Sequence, residues 1–121
     1  MFDIVVATLA AATVSGNSTD QVDIDGRGVQ LVIDITAITG TTPSATFSVQ
    51  GKDMASGKYY NLLTSVALTA VGTTVLTIYP GIAASANVSA NTVIPRVFRV
   101  SYTISGTTPV VTATIGASII D

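Results

Sequence analysis

The chain reads as all-β: an antiparallel β-sandwich of about eight strands, of which a jelly roll is one form. Three observations carry this. Short runs rich in Val, Ile, Thr and Ala recur from end to end, clusters of Gly, Pro, Asn and Ser punctuate them, and no stretch holds an apolar stripe at helical spacing. Evenly spaced short strands with turn signals between them belong to sandwiches and barrels. Without long helices to cover parallel strands, antiparallel pairing is expected. At 121 residues the chain makes one domain, 1–121, with 1–14 as an N-terminal arm or pairing strand.

Phe2 to Val14 reads as a long first strand, closed by the turn cluster Ser15-Gly16-Asn17-Ser18. Ile4 to Val14 has the apolarity of a signal-peptide core. Asp3 stands where a positive flank is required, so the segment is expected to belong to the fold. Gln21 to Asp25 is a short strand with Val22 and Ile24 on one face, ended by Gly26-Arg27-Gly28. From Val29 to Thr39 the alternation is plain: Val29, Leu31, Ile33, Ile35 and Ala37 share one face, and Gln30, Asp34 and Thr36 the other. Period two with a polar opposite face predicts a half-buried strand. Gly40-Thr41-Thr42-Pro43 reads as a hairpin turn into a return strand that points Ala45, Phe47 and Val49 inward.

Lys52 to Lys58 reads as a polar loop, Tyr59 to Thr64 as a strand, and Thr74 to Tyr79 as another; Ser65 to Val71 fits strand or loop. Ile82 to Thr92 reads as a long loop with room for one helical turn. Arg96 to Ser105 places Phe98, Val100, Tyr102 and Ile104 inward, Gly106-Thr107-Thr108-Pro109 turns the chain, and Val110 to Ile120 is the last strand. The tetrapeptide Gly-Thr-Thr-Pro thus occurs twice. The strands after it match in phase, Phe47 with Ala113 and Val49 with Ile115. Those before it do not, because Ile33 aligns with Arg99 and not with Val100. A one-residue slip turns every side chain to the other face, so a duplication would need a bulge. The expectation is two similar hairpins, one in each half, and not a repeat protein.

Charged residues are 10% of the chain, against roughly 25% in an average soluble domain. Thr and Ser stand where charges usually do. Such a surface suits being covered by neighbours, so a homo-oligomer is expected; an extracellular domain with a polar, uncharged surface is the plainer alternative. A net charge of −2 with five scattered bases opposes nucleic-acid binding. No run reaches the ~18 apolar residues of a membrane helix.

Catalytic chemistry finds little footing. There is no His or Cys, and every acid is Asp. A nucleophilic Ser beside Lys52 or Lys58 is outweighed by reading Lys52-Asp53-Met54-Ala55-Ser56-Gly57-Lys58 as an exposed charged loop. Asp20, Asp23 and Asp25 before Gly26 fail the calcium-loop pattern, whose closing Glu would fall at Val32. Asp34 and Asp53 are the candidates for a carboxylate pair away from that cluster, and Asp34 lies on the polar face of its strand, where solvation explains it. No enzyme, metal or cofactor is expected. Tyr59 and Tyr60, adjacent on a strand, face opposite ways, one into the core and one outward. Together with Phe2, Ile4 and Val6 of the first strand, they are the candidate interface residues, the strand being read as an element that pairs with a neighbour.

Val29 to Pro43, Tyr59-Tyr60-Asn61-Leu62-Leu63-Thr64 and Pro95-Arg96-Val97-Phe98-Arg99-Val100 resemble small virion proteins of tailed bacteriophages, among them head decoration or cementing proteins. The resemblance extends from about Val14 onward and is one of hairpin and turn texture. It implies a structural protein on the capsid exterior, with the major capsid protein as partner, stabilising the shell by bridging capsomers. A tail, connector or fibre subunit is a second reading. A carbohydrate-binding module using Tyr59, Tyr60 or Tyr79 is a third.

Overall fold

A computed structural model of the chain describes residues 2–22 and 26–121. Asp23, Ile24 and Asp25, and the side chain of Phe2, lie outside the described residues. The described residues form eight strands and no helix: β1 (Phe2–Ala12), β2 (Gly16–Asn17), β3 (Gln21–Val22), β4 (Gly28–Lys52), β5 (Tyr59–Thr64), β6 (Gly72–Ile78), β7 (Ser89–Ala90) and β8 (Val97–Ile120). The protein is all-β. Pairing is antiparallel throughout except for a short parallel contact of β6 with β7. Ile82 to Thr92 holds turns and a Ser85–Ser89 bridge in place of a helical turn.

The hydrogen bonding departs from the expected hairpins. Val29–Thr39 and Ala45–Gln50 do not pair with each other; both belong to the 25-residue strand β4, which runs antiparallel to β8 from Gly28↔Ile120 to Gly51↔Phe98. The two Gly-Thr-Thr-Pro segments are therefore not hairpin turns. They are facing corners at which two long paired strands bend together. Nor do two separate sheets form: all eight strands join one sheet, with β1, β8, β4, β6 and β7 in order and β2, β3 and β5 on its flanks.

The corners divide that sheet into two leaves. The first comprises 28–38 of β4, 110–120 of β8, β1 and β6; the second comprises 44–52 of β4, 97–105 of β8, β2, β3 and β5. One core takes side chains from both: Val29, Leu31, Ile33, Ile35, Leu76, Ile115 and Ile119 from the first, Ala45, Phe47, Val49, Leu63, Phe98 and Val100 from the second. Many of these are fully buried, yet the described residues form no other layer to cover them. The accessible surface of 6091 Å² at 12.3 kDa matches the ~6,100 Å² of a compact monomer of that mass. The leaves therefore cover each other.

A bulge explains the slip seen in the sequence. Ile35 pairs with Ala113 and Ala37 with Thr112, which leaves Thr36 as the extra residue. The bulge reverses the facing of the next two positions: Ala37, expected inside, is exposed, and Ile38 packs on the core instead. With Thr36 set aside, the register repeats when the halves are exchanged. Ile38↔Val111 becomes Ile104↔Ala45, Ile33↔Ile115 becomes Val100↔Val49, and Leu31↔Ala117 becomes Phe98↔Gly51.

The flanking strands follow the same symmetry through β1 and β2 and through β5 and the start of β6, while β3 is one residue out of step and β7 has no counterpart among the described residues. β1 on β8 carries a bulge at Val6, and β5 on β4 carries one at Leu62, in the equivalent place. Ala12↔Val111 corresponds to Leu68↔Ala45, and Gly16↔Tyr102 to Gly72↔Ile35. At the corners Gly40 and Gly106 have φ of 125° and 116°, and Thr42 and Thr108 both 47°. Each of these threonines donates its hydroxyl to the preceding carbonyl at 2.8 Å. The molecule is thus built on a local two-fold axis, and the expectation of mere hairpin similarity gives way to two structurally equivalent halves.

Candidate contact surface

The candidate interface residues of β1 are placed inward. Val6 is buried and Ile4 packs against the core. The reason is the partner: β1 is not a free arm, since it pairs with β8 from Phe2↔Ile119 to Ala12↔Val111 and must turn one face to the core. The large apolar side chain that β1 turns outward is Val5, 74% exposed.

The register aligns Val5 with Gly116, Val32 and Val75 in one row across the four strands of the first leaf. Val75 is 42% exposed, Val32 half-buried, and the space over Gly116 is open, an added Cβ meeting only the Ile4 carbonyl at 3.8 Å. On one side lies the row Thr8, Thr114, Asp34, Thr73, and on the other Asp3, Ser118, Gln30, Thr77. Asp3 accepts from the Ser118 hydroxyl at 2.6 Å. The face is an apolar strip between hydroxyl-rich rows, without a base.

The two-fold axis carries that strip onto the outer face of the second leaf, where the chemistry is different. Val32 corresponds to Arg99, Gly116 to Gln50 and Val5 to Asn61. These three form a ladder: Arg99 Nε donates to Gln50 Oε1 at 2.8 Å, and Gln50 Nε2 donates to Asn61 Oδ1 at 2.9 Å. Ser48 and Thr64 share a hydroxyl hydrogen bond at 2.9 Å in the next row.

The Arg99 guanidinium lies 3.4 Å from the centre of the Tyr59 ring, a cation–π stack. The Tyr59 hydroxyl donates to Asp20 at 2.7 Å, and Lys52 Nζ meets the same carboxylate at 3.2 Å. The Tyr59 hydrogen bond, with Lys52 beside it, holds the Asp20 carboxyl below its ordinary value. Backbone equivalence thus supports an open apolar strip on one leaf and an internally satisfied polar ladder on the other.

Neither Tyr59 nor Tyr60 enters the core. Tyr59 lies under Arg99 on the outer face, and Tyr60, 46% exposed, lies against Gly51 at the leaf edge. Their rings are committed to neighbours, as is Tyr79, which crowds Gly28 and donates to the Asp121 carbonyl at 3.0 Å. The Asp53–Lys58 loop is a closed turn in which Ser56 donates to Asp53 at 2.8 Å. That hydrogen bond, with the Ala55 amide, keeps the Asp53 carboxyl below its usual value. No cavity opens among the described residues.

Comparison with protein-family models, curated proteins and solved structures gives no match. The strip is hidden in the sequence because Val32 and Val75 read as ordinary strand residues. Only the pairing order sets them beside Val5.

The Asp20 shift has a sign. A carboxyl depressed in the folded state stabilises the fold above its unfolded pKa, and this is lost as pH falls through the depressed value. Asp20→Asn is expected to flatten the acid limb of urea midpoint against pH while leaving neutral stability within about 1 kcal/mol, because the pair is solvent-screened. An unchanged acid limb would refute it.

Proposed function

We propose that this protein is a structural component of a phage particle that binds the capsid exterior and stabilises the shell by bridging capsomers. It acts through the outer face of the first leaf. The observation that carries the reading is the Val5–Gly116–Val32–Val75 strip, left open between hydroxyl-rich rows that hold Asp3 and Asp34 but no base. An exposed apolar strip rimmed by polar groups is the composition of a contact surface. The phage resemblance of Val29–Pro43, Tyr59–Thr64 and Pro95–Val100 supports the choice of partner. Binding to the assembled shell and not to its free subunits would stabilise the shell by mass action.

The test is co-sedimentation with purified capsids, comparing Val75→Asp with Asn61→Asp on the opposite leaf. Val75→Asp is expected to weaken binding by at least about tenfold, as a charge forced against an apolar contact costs more than about 1.4 kcal/mol. Asn61→Asp is expected to bind normally. Equal binding by both variants would overturn the choice of face, and no sedimentation of the parent protein with capsids would overturn the choice of partner.

A further inference from the structure

The two-fold axis has an unusual property: it relates halves that do not pair within themselves. Take the first half as β1 to β4 and the second as β5 to β8. β1, β2 and β3 all pair with β8, β5 and β6 both pair with β4, and β4 and β8 pair with each other along their length. Among the described residues, only the two-residue β6–β7 contact and the Ser85–Ser89 bridge are strand pairings inside one half.

Each half alone is a set of strands without a sheet. The covalent link between them is the exposed turn Asp53–Lys58, closed by Asp53 N–H to the Lys58 carbonyl at 2.8 Å and Gly57 N–H to the Asp53 carbonyl at 2.7 Å. Hydrogen bonding and core burial are indifferent to whether that turn is closed, provided a complementary half is present. The arrangement is that of an intertwined dimer fused into one chain.

We propose that the partner for which this fold is preformed is a second copy of the same chain, engaged by exchange of halves: β1–β4 of one copy pairs with β5–β8 of the other, and the reverse. The surface that recognises the partner is the β4–β8 seam, and the Asp53–Lys58 turn sets the balance between closed monomer and exchanged dimer. A connection too short to reverse the chain leaves exchange as the way to complete the sheet. This inference uses strand pairing alone and is independent of the capsid reading.

The first test deletes Met54 to Lys58 from the full chain, leaving one residue between strands whose shortest common hairpin loop is two. Light scattering is expected to give twice the mass of the shortened chain, a little under twice 12.3 kDa, with an unchanged β circular-dichroism spectrum. A folded monomer would overturn the proposal.

A second measurement decides the matter if the deletion variant fails to fold. A protease site is inserted between Ala55 and Ser56 of the full chain, and equal amounts of light and isotopically heavy intact chain are unfolded together, refolded at high concentration and only then cut. Native mass spectrometry is expected to find light–heavy pairs of first and second halves, which arise only when intact chains have exchanged halves. Unmixed pairs alone would overturn it.

Discussion

Gly40→Ala and Gly106→Ala are expected to destabilise the protein strongly and by nearly the same amount. Gly40 has a φ of 125°, where L-residues are strained, and a Cβ there would stand 2.8 Å from the Thr108 carbonyl oxygen and 3.0 Å from the Pro109 Cα. Gly106, at 116°, would place its Cβ 2.7 Å from the Thr42 carbonyl oxygen and 3.0 Å from the Pro43 Cα. The obstacles are backbone atoms of the facing corner, so no rotamer change relieves them. Backbone strain of about 1–3 kcal/mol adds to an overpacking cost of about 1–3 kcal/mol.

Each substitution should therefore remove on the order of 3 kcal/mol, a large part of the ~5–15 kcal/mol that holds a domain together. Urea unfolding of the two variants checks this. Midpoints that differ by more than about 1 kcal/mol in equivalent stability would show that the corners are not equivalent, whatever their local geometry.

Deleting Phe2 to Ala12 is expected to abolish cooperative folding, and not to leave a folded core as the loss of an N-terminal arm would. Val6 and Leu9 of β1 are buried, and each such side chain contributes about 1.5–3 kcal/mol. The same deletion strips β8 of its neighbour from Val111 to Ile119 and leaves that length of backbone unpaired beside an opened core. The two side chains alone amount to about 3–6 kcal/mol, comparable to the whole ~5–15 kcal/mol that holds a domain together. Thermal melting followed by circular dichroism distinguishes the cases: a sigmoidal transition in the truncated chain would restore the arm. Point substitution at Val5 leaves the core intact, so it, and not truncation, is the way to ask whether β1 makes outside contacts.

How much of this is legible in the chain varies by element. Alternation places Val29, Leu31, Ile33, Ile35, Ala45, Phe47, Val49, Phe98 and Val100 correctly inside, because a side-chain period of two is a local property of extended backbone. It fails at Ala37, since a bulge at Thr36 leaves no mark in hydropathy. The candidate interface on β1 fails similarly: Ile4 and Val6 stand out for being apolar, which is also what fits them to the core.

All-strand architecture, the inward faces of the unbulged stretches 29–35, 45–49 and 98–100, and the shortage of charge were determined by the sequence alone, as each is written in near neighbours and composition. Tertiary structure decided what the Gly-Thr-Thr-Pro segments do. A glycine-rich tetrapeptide permits the backbone to reverse or merely to bend, and the outcome depends on which distant strand supplies hydrogen bonds to either side. Here β4 and β8 supply them to each other, so the turns became corners, the hairpins became one folded sheet, and three ordinary positions, Val5, Val32 and Val75, came to lie in one row.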